Sequence, residues 1–458
     1  MRLSDALRLA PTPRLAFSGA GGKTTALFRL GREYLEHSVH GSAHSQTVLL
    51  AATTHMAAEH LSMADWHIVT SGDATVVPPL GGWPNGLLLF TGPLGRDSRT
   101  IGLTPAQMDQ LFVLSEEAQF PLLVEADGSR QRPLKAPVSH EPAIPAWVDT
   151  GVVVAGLSGL GRPLTAQWVH RPERFSELAG IPVGESVSSQ ALVRVLSHPS
   201  GGLQGIPEAV RRVVLLNQAD SAELQAAALK MVPELLQAYQ AVVIASLAFS
   251  EAAGIHAVHE PTAGVILAGG AASRIGQPKQ TLPWLGHALV WHAARTALRA
   301  GLAPVVVVTG HAADLVQAAL AGLQVELVHN PDWTAGQSTS VITGLRHLPA
   351  QVSSAVFLLA DQPRVPAELV RSLVETHTTT CAAIVAPLIQ GQRANPVLFD
   401  RRTFPDLLSL AGDVGGRALF SRYPVSWLPW NDASVLFDVD TLEDYQSLCG
   451  IAATESEI

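Results

Sequence analysis

Basic charge, cysteine and long apolar runs are all scarce in this sequence. Only two cysteines occur, Cys381 and Cys449, and their spacing fits neither a disulfide framework nor a structural zinc site. No stretch reaches the roughly 18 uninterrupted apolar residues of a membrane span, and the N-terminus lacks the apolar core of a signal peptide. We therefore expect a soluble protein of the reducing cytoplasm, with no membrane partner.

The charge balance argues against nucleic acid as the main partner. The 458 residues carry 30 Lys and Arg against 39 Asp and Glu, a formal net charge of −9, which gives no basic field for a polynucleotide backbone. Hydrophobic residues make up 47%, as in folded globular chains. The length exceeds what one core usually organises, so we expect two domains.

Short β-branched runs alternate with helical patterns in both halves, which predicts an α/β protein with parallel sheets covered by helices. The pattern restarts near Gly264, after a mixed stretch at residues 249–263 that contains Pro261 and is predicted to be a linker. The predicted domains are residues 1–250 and 262–458. The predicted strands are residues 15–18, 48–51, 122–125, 152–155, 213–217, 242–246, 264–268, 305–309, 325–329, 355–359, 383–386 and 397–399.

A glycine-rich loop, LAGGAASRIGQPK at residues 267–279, follows the first predicted strand of the second half. Small residues let backbone N–H groups approach phosphates, and Arg274 and Lys279 add the positive charge that a triphosphate needs. A bare glycine pair is more often only a tight turn, but the two cations favour phosphate binding. We predict that Arg274 and Lys279 are catalytic. The predicted nucleotide-binding residues are Leu267, Ala268, Gly269, Gly270 and Lys279.

Asp361 follows the apolar run 355–360, which puts its carboxylate at the carboxyl edge of a parallel sheet, where ligands of open α/β sheets bind. We predict that it is catalytic and binds Mg²⁺, which needs only one or two protein carboxylates because it keeps waters and bridges to phosphates. The second ligand is Asp438 or Asp440. These two residues flank Val439 and face opposite ways in an extended segment, and Asp440 fits a helix N-cap equally well.

The glycine-rich loop and six further motifs that follow it along the chain resemble, in their order, those of the molybdenum cofactor nucleotidyltransferases, and in particular the MocA-like cytidylyltransferases. The resemblance implies a Rossmann-like, glycosyltransferase-A-like domain that transfers CMP from CTP to molybdopterin, the organic part of the molybdenum cofactor, and releases pyrophosphate with the help of Mg²⁺. The motifs after the loop are HNP (329–331), GQSTS (336–340), DQP (361–363), GQRANP (391–396), GDVGGR (412–417) and DVDT (438–441).

Two of these motifs are predicted to form the acceptor side of the site, with Gly336, Ser338, Ser340, Arg393 and Asn395 binding the pterin substrate. The serine hydroxyls can donate hydrogen bonds to phosphate or pterin groups, and Arg393 can steer an anionic acceptor. Serines that precede a helix are just as often helix caps.

Two departures from the family pattern leave alternatives open. The loop has LAGG, as in the guanylyl branch, whereas the two-residue gap between Gly276 and Lys279, the LPW at 282–284 and the DQP triplet are typical of the cytidylyl branch. Ala394 replaces a family glycine. The alternatives are a guanylyltransferase or sugar-nucleotide synthase, and a carrier or chaperone that binds nucleotide and cofactor without turnover; the retained loop cations and Asp361 favour turnover.

The first half has its own glycine-rich loop, SGAGGKTT at residues 18–25, after the first predicted strand. A Lys and a Thr after a glycine turn suit a phosphate loop in which the Thr hydroxyl joins a magnesium shell. The first glycine of a full P-loop is replaced by Phe17, so we predict a P-loop-like α/β domain. The apolar strand before Asp127 is typical of a magnesium site at a strand end.

The NQAD motif at residues 217–220 resembles the base-binding motif of GTPases, although Asn and Asp at strand ends are equally ordinary turn residues. The predicted nucleotide-binding residues of this half are Gly19, Gly21, Gly22, Lys23, Thr24, Asn217 and Asp220, and the predicted metal ligands are Thr24 and Asp127.

This half resembles the YqeC-like family, described as accessory to selenium-dependent molybdenum hydroxylases. The resemblance implies a molybdenum hydroxylase client and a bifunctional protein with small-molecule nucleotide and pterin substrates. Lys135, His140 and Glu141 form either a binding surface or a solvated loop. The motifs that carry the resemblance are GAGGKTT (19–25), ATTHM (52–56), EADGSRQRPLKAP (125–137) and HEPAIP (140–145).

Overall fold

The computed structural model describes residues 1–38, 47–71, 82–96, 98–247, 254–271 and 275–455. The chain divides into two compact units, Met1–His259 and Glu260–Ile458, here called unit 1 and unit 2. None of the helices in these described segments is both long and apolar enough to traverse a bilayer.

Unit 1 contains eleven described strands and six described helices. The strands are β1 (Arg14–Gly19), β2 (Thr47–Ala52), β3 (Trp66–Val69), β4 (Gly86–Thr91), β5 (Leu122–Glu125), β6 (Leu134–Lys135), β7 (Thr150–Gly156), β8 (Val169–His170), β9 (Arg211–Asn217), β10 (Ala241–Ser246) and β11 (Gly254–His259). The helices are α1 (Leu3–Ala6), α2 (Lys23–Ser38), α3 (Pro105–Ala118), α4 (Pro172–Ala179), α5 (Ser189–Ser197) and α6 (Ala222–Leu235).

Nine of these strands form one sheet in the order β11-β10-β9-β7-β1-β5-β2-β4-β3. Every neighbouring pair is parallel except β10 and β11. All seven residues of β7 are buried, as expected of a central parallel strand covered on both faces. Since the strands are parallel, the ends of β1, β5, β7 and β9 share one edge, and the glycine-rich loop after β1 lies there.

Unit 2 contains ten strands and six helices in its described residues. The strands are β12 (Thr262–Ala268), β13 (Pro283–Trp284), β14 (His287–Ala288), β15 (Val305–Thr309), β16 (Glu326–His329), β17 (Ser354–Leu359), β18 (Ile384–Ile389), β19 (Gln392–Arg393), β20 (Val397–Asp400) and β21 (Val425–Pro429). The helices are α7 (Leu289–Arg299), α8 (Ala313–Ala319), α9 (Gln337–His347), α10 (Ala367–Thr380), α11 (Phe404–Leu408) and α12 (Leu442–Glu455).

The main sheet of unit 2 has the order β16-β15-β12-β17-β20-β18-β19, with β21 paired to β18. Strands β16, β15, β12 and β17 are parallel, and β20 pairs antiparallel with β17. The ends of β12 and β17 therefore meet at one edge of the sheet. This edge carries the glycine-rich loop of unit 2 and Asp361.

The predicted α/β class is confirmed, and every predicted strand is present within a few residues of its expected bounds. Part of the stretch that was predicted to be a linker forms a strand. Residues 249–253 of it lie outside the described residues, but Gly254–His259 form β11, an edge strand with only two buried residues. A strand that buries so little carries no clear apolar alternation, which is why the sequence pattern did not reveal it.

Candidate functional site

One lysine and three aspartates form a cluster at the carboxyl edge of the unit 2 sheet. Lys279 pairs with Asp361, which follows β17, and its Nζ lies 2.8 Å from Asp440 Oδ1. A backbone bond of 3.2 Å from Val439 N to the Asp361 carbonyl holds the segment of Asp438 and Asp440 against the end of β17. Sheet topology thus brings together residues up to 161 positions apart.

The close charges shift the pKa values of Lys279 and Asp438. Burial alone would lower the pKa of Lys279, but the carboxylates of Asp361 and Asp440 outweigh it and raise that pKa. Burial, followed by the charges of Asp361 and Asp440, raises the pKa of Asp438, against a hydrogen bond from Gln362.

Both aspartates of the DVDT motif reach the cluster, whereas the sequence pattern led us to expect only one. Asp438 accepts a hydrogen bond from Gln362, and Asp440 pairs with Lys279. The helix cap comes from the next residue instead. Thr441 Oγ1 accepts from Asp444 N at 3.1 Å, and Asp444 Oδ2 accepts from Thr441 N at 2.8 Å, so Asp440 is free of the capping role.

The residues of the cluster fit a magnesium ion. Asp361 Oδ1 is buried and accepts no hydrogen bond from any described residue, and three carboxylates face a single ammonium group. Among the described residues, no group of three or more His, Cys, Asp or Glu side chains is arranged so that the group could hold a metal ion. A group of three is not required, because Mg²⁺ keeps several waters and takes one or two carboxylates.

The glycine-rich loop of unit 2 is held in place by a glutamine. Gln280 Nε2 donates to the carbonyls of Ala268 and Gly270, at 3.3 and 3.2 Å. This brace fixes the described part of the loop beside the carboxylate cluster. The predicted catalytic residue Arg274 lies outside the described residues.

A cavity of 350 Å³ opens next to the cluster, and Asp438 is part of its wall. The cavity has an apolar and aromatic part, amide groups, and two arginines that are exposed to solvent. Such a lining suits a flat heterocycle that carries an anionic group. The residues that line the cavity are Leu267, Gln337, Val341, Phe357, Leu359, Arg393, Ala394, Asn395, Val397, Phe399, Leu407, Gly415, Gly416, Arg417, Phe420 and Asp438.

Of the predicted acceptor residues, Arg393 and Asn395 line this cavity, but the two serines do not. Ser338 and Ser340 are buried in the first turns of α9, and Ser340 Oγ accepts a hydrogen bond of 3.0 Å from Asn330 Nδ2. The hydroxyl of Ser340 therefore fixes the packing of α9, and a role of the two serines in acceptor binding stays a prediction.

Gly336 is also explained by packing. Its φ of 111° favours glycine, and a Cβ there would lie 2.5 Å from the Gly412 carbonyl carbon. The residue therefore allows the GQSTS and GDVGGR segments to approach each other. Arg417 of the GDVGGR segment lies on the cavity wall.

The glycines of the unit 1 loop are required by close packing. A Cβ at Gly19 would lie 2.3 Å from the Val154 carbonyl oxygen, and one at Gly22 would lie 2.2 Å from Asn217 Nδ2. Gly21 packs in the same way against Gly156 of β7. These contacts account for the glycines without a phosphate, so the P-loop-like character of unit 1 stays a prediction.

Lys23 is buried in an ion network that lies behind the loop. Its Nζ donates to the Gly19 carbonyl at 2.6 Å and lies 3.3 Å from Asp127 Oδ1. Asp127 Oδ2 accepts from Lys135 at 2.7 Å, and Lys135 also binds Glu141 at 2.7 Å. The charges of Lys135 and Glu141 are thus paired with each other.

Asp127, which is predicted to be a metal ligand, makes several contacts inside unit 1. Its carboxylate pairs with Lys23 and Lys135. Its Oδ1 also accepts a hydrogen bond of 3.0 Å from the backbone amide of Gly19. Glu125 takes the position expected of Asp127, because Thr24 Oγ1 donates to Glu125 Oε2 at 2.9 Å. Burial raises the pKa of the Glu125 carboxyl, although Lys23 and Thr24 act in the opposite direction.

The NQAD motif likewise has a structural role at its first residue. Asn217 Nδ2 donates to the Gly21 carbonyl at 2.8 Å, and Asn217 Oδ1 accepts from Leu247 N at 2.9 Å. Both polar atoms of the side chain therefore brace the loop against the sheet. Asp220 is exposed and lies outside the set of described residues that line a cavity at this edge.

Comparison with known proteins gives each unit a family. A family model described as "YqeC protein" matches residues 15–173, and one described as "MobA-like NTP transferase domain" matches residues 264–426. The uncharacterized protein YqeC of Escherichia coli (strain K12) is 33% identical over 45% of this chain and 75% of its own length.

The relatives that correspond to the second unit include an oxidoreductase and a transferase. Nicotine blue oxidoreductase of Paenarthrobacter nicotinovorans is 32% identical over 40% of this chain and 95% of its own length. The molybdenum cofactor cytidylyltransferase of Escherichia coli (strain K12) is 24% identical over 40% of this chain and 92% of its own length. The chain is therefore a fusion that belongs to the YqeC family through unit 1 and to the MobA-like nucleotidyltransferases through unit 2.

Proposed function

We propose that unit 2 transfers CMP from CTP to the molybdenum cofactor and releases pyrophosphate. The observation that carries this proposal is the cluster of Lys279 with Asp361, Asp438 and Asp440, next to a cavity with an apolar part and two arginines. Membership in the MobA-like nucleotidyltransferases and the similarity to a molybdenum cofactor cytidylyltransferase support it.

In the proposed reaction an oxygen of the acceptor's terminal phosphate attacks the α-phosphorus of CTP. The bond from this phosphorus to the oxygen that bridges to the β-phosphate breaks, and pyrophosphate leaves with the electron pair. The protein supplies position and charge. Lys279 Nζ offers a positive charge to the phosphates. Asp361 would hold Mg²⁺ together with Asp438 or Asp440, and the ion neutralises phosphate charge when bound.

The 350 Å³ cavity is the proposed acceptor site. Phe357 and Phe420 offer aromatic surface to a planar pterin, while Arg393 and Arg417 can bind its phosphate. The amide of Asn395 adds a polar group that can fix the orientation of the ring.

A pyrophosphate assay tests this proposal. The purified protein is incubated with molybdenum cofactor, Mg²⁺ and each of CTP, GTP, ATP and UTP in turn. We expect CTP to give the fastest release of pyrophosphate, with little release when the cofactor is omitted. Asp361→Asn should abolish most turnover while the protein stays folded, because it removes a charged group at the site edge without touching the core. A GTP preference would instead favour the guanylyltransferase, and nucleotide binding without turnover would favour the carrier.

We also propose that the product serves a molybdenum hydroxylase, with unit 1 as an accessory domain. The YqeC family of unit 1 supports this proposal. In cells that lack the gene, hydroxylase activity should fall, and the wild-type gene should restore it while the Asp361→Asn gene should not. Unchanged hydroxylase activity in the deletion strain would contradict the role.

A further inference from the structure

A second cavity, of 220 Å³, lies at the carboxyl edge of the unit 1 sheet. It is formed by the first turn of α2, by the end of β5, and by the segment after β5. None of its lining residues belongs to the proposed transfer site of unit 2. The residues that line it are Gly21, Gly22, Lys23, Thr24, Thr25, His55, Met56, Ala57, His60, Arg99, Glu125, Gly128, Ser129, Arg130, Gln131, Arg132 and Gln218.

The charges of this lining are strongly unequal. Three arginines, Arg99, Arg130 and Arg132, contribute to the wall, while Glu125 is the one carboxylate among its described residues. Arg130 is exposed, and Arg132 is anchored by a hydrogen bond of 2.7 Å from its Nε to the Ala166 carbonyl. A concave surface with this excess of positive charge attracts anions, and arginine forks suit phosphate oxygens in particular.

The backbone adds donors at the same place. Lys23, Thr24 and Thr25 form the first turn of α2, a helix of 16 residues, and all three line the cavity. The first N–H groups of a helix have no partner within it and carry the positive end of its dipole. Backbone amides and arginines therefore line the same cavity.

A pair of oxygen groups lies in the wall of the same cavity. Thr24 Oγ1 and Glu125 Oε2 are 2.9 Å apart, and Glu125 is buried except where it meets the cavity. A hydroxyl next to a carboxylate, at the edge of a phosphate position, is the hard-oxygen environment that Mg²⁺ takes together with phosphate oxygens.

We propose that unit 1 binds a polyphosphate group, such as that of a nucleoside di- or triphosphate, together with a divalent cation. The phosphates lie against the first turn of α2 and against Arg130 and Arg132, and the cation lies at Thr24 and Glu125. This site is separate from the transfer reaction of unit 2. It also departs from the sequence pattern, because Asp127 and Asn217 are engaged in internal contacts and Lys23 Nζ is held by Gly19 and Asp127.

The test is a calorimetric titration of the full-length protein with magnesium tripolyphosphate and with magnesium ATP. Arg130→Gln should weaken one class of binding sites about tenfold or more, as expected for a lost hydrogen bond to a charged group. The CMP transfer activity of unit 2 should stay unchanged in the same variant. Arg174→Gln is the matched control, because Arg174 makes only a surface pair with Glu177, and it should bind like the wild type.

A second pair of variants tests the cation. Thr24→Val keeps the shape of the side chain and removes the hydroxyl, so the magnesium dependence of tripolyphosphate binding should be lost, and Thr24→Ser should restore it. The proposal is overturned if Arg130→Gln and Thr24→Val both bind normally, if Arg174→Gln loses as much affinity as Arg130→Gln, or if adenosine without phosphate binds as well as ATP. Since binding is measured apart from transfer, a failure here leaves the proposed function of unit 2 untouched.

Discussion

Each unit places a lysine after a glycine-rich turn at the end of a parallel strand, but the surroundings of the two lysines differ. Lys23 is 3% exposed and is held by Gly19 and Asp127 in the interior. The Lys279 side chain is 22% exposed and reaches Asp361 and Asp440 at an open edge. The same local motif therefore gives a structural lysine in one unit and a candidate phosphate ligand in the other, depending on which carboxylates the fold brings to it.

The largest effect is expected when a charge is removed from the buried network of unit 1, which should destabilise that unit. Lys135→Met removes the buried ammonium group that pairs with both Asp127 and Glu141, and breaking a buried ion pair costs about 3–5 kcal/mol of unfolding free energy. Unit 2 should keep its transfer activity. Urea unfolding with hydrogen exchange measured on β5 and β7 peptides gives the result. Lys230→Met, at an exposed position of α6, is the matched control, and an equal loss in both variants would show that the network adds no stability.

A matched pair of alanine variants compares the two lysines directly. Lys279→Ala should lower CMP transfer on the order of a hundredfold, because a charge at a preorganised phosphate site is worth a few kcal/mol. Lys23→Ala should leave transfer within a few-fold of normal, and so should a chain that begins at Pro261. The readout is pyrophosphate release with CTP and cofactor. Loss of transfer in the Lys23 variant and in the shortened chain together would mean that the two units form one composite active site.

The pH dependence of stability should separate the units further. In unit 1, burial lowers the pKa of His170 and of His259 from 6.5 to about 4. The unfolded chain takes up these protons first, so the stabilisation is complete above pH 6.5 and is lost as the pH falls from 6.5 to about 4. We expect the unfolding free energy to fall by about 1–3 kcal/mol over this range. The value is limited because both rings are partly exposed and solvent screens their charges.

Urea unfolding at pH 7, 5.5 and 4 measures the slope of the unfolding free energy against pH. The ring Nε2 of His259 is buried without a hydrogen-bond partner among the described residues, so His259→Leu should flatten the slope between pH 6.5 and 4. A slope that is unchanged in this variant would assign the acid sensitivity to other groups.

The smallest effect is expected at the rim of the unit 2 cluster. The Asp440 side chain is 55% exposed, and an exposed ion pair contributes roughly 0–1 kcal/mol. Asp440→Asn should therefore lower transfer only a few-fold, far less than Asp361→Asn, as measured by pyrophosphate release at saturating Mg²⁺. A loss as large as that of Asp361→Asn would make Asp440 an essential ligand of the metal.

The sequence predicted the buried part of the fold well. Strands such as β7 and β15 are buried along their whole length, and their continuous apolar runs reveal them. Strands β3 and β11 were not predicted because they are edge strands with little burial. Strand β4 was not predicted either, although the apolar run Leu87–Phe90 carried a usable signal.

The candidate site was less predictable, because its contacts depend on distant parts of the chain. The order of motifs pointed to Lys279 and Asp361, but only the fold shows that they pair. A serine before a helix has the same sequence whether it caps, packs or binds a ligand, so nothing local marked Ser340 as a packing residue. The unit 1 network joins Lys23 to Asp127 across more than a hundred residues, and no spacing rule reveals such a partner.

The position of β11 has a consequence for how the protein is made. The unit 1 sheet uses residues no further than His259, and β12 of unit 2 begins at Thr262. Chains are synthesised from the N-terminus, and domains generally fold as units in that order. Unit 1 can thus close its sheet, and bury its paired charges, while the ribosome is still translating the transferase. A pause in translation just after the codons for β11 would favour this order.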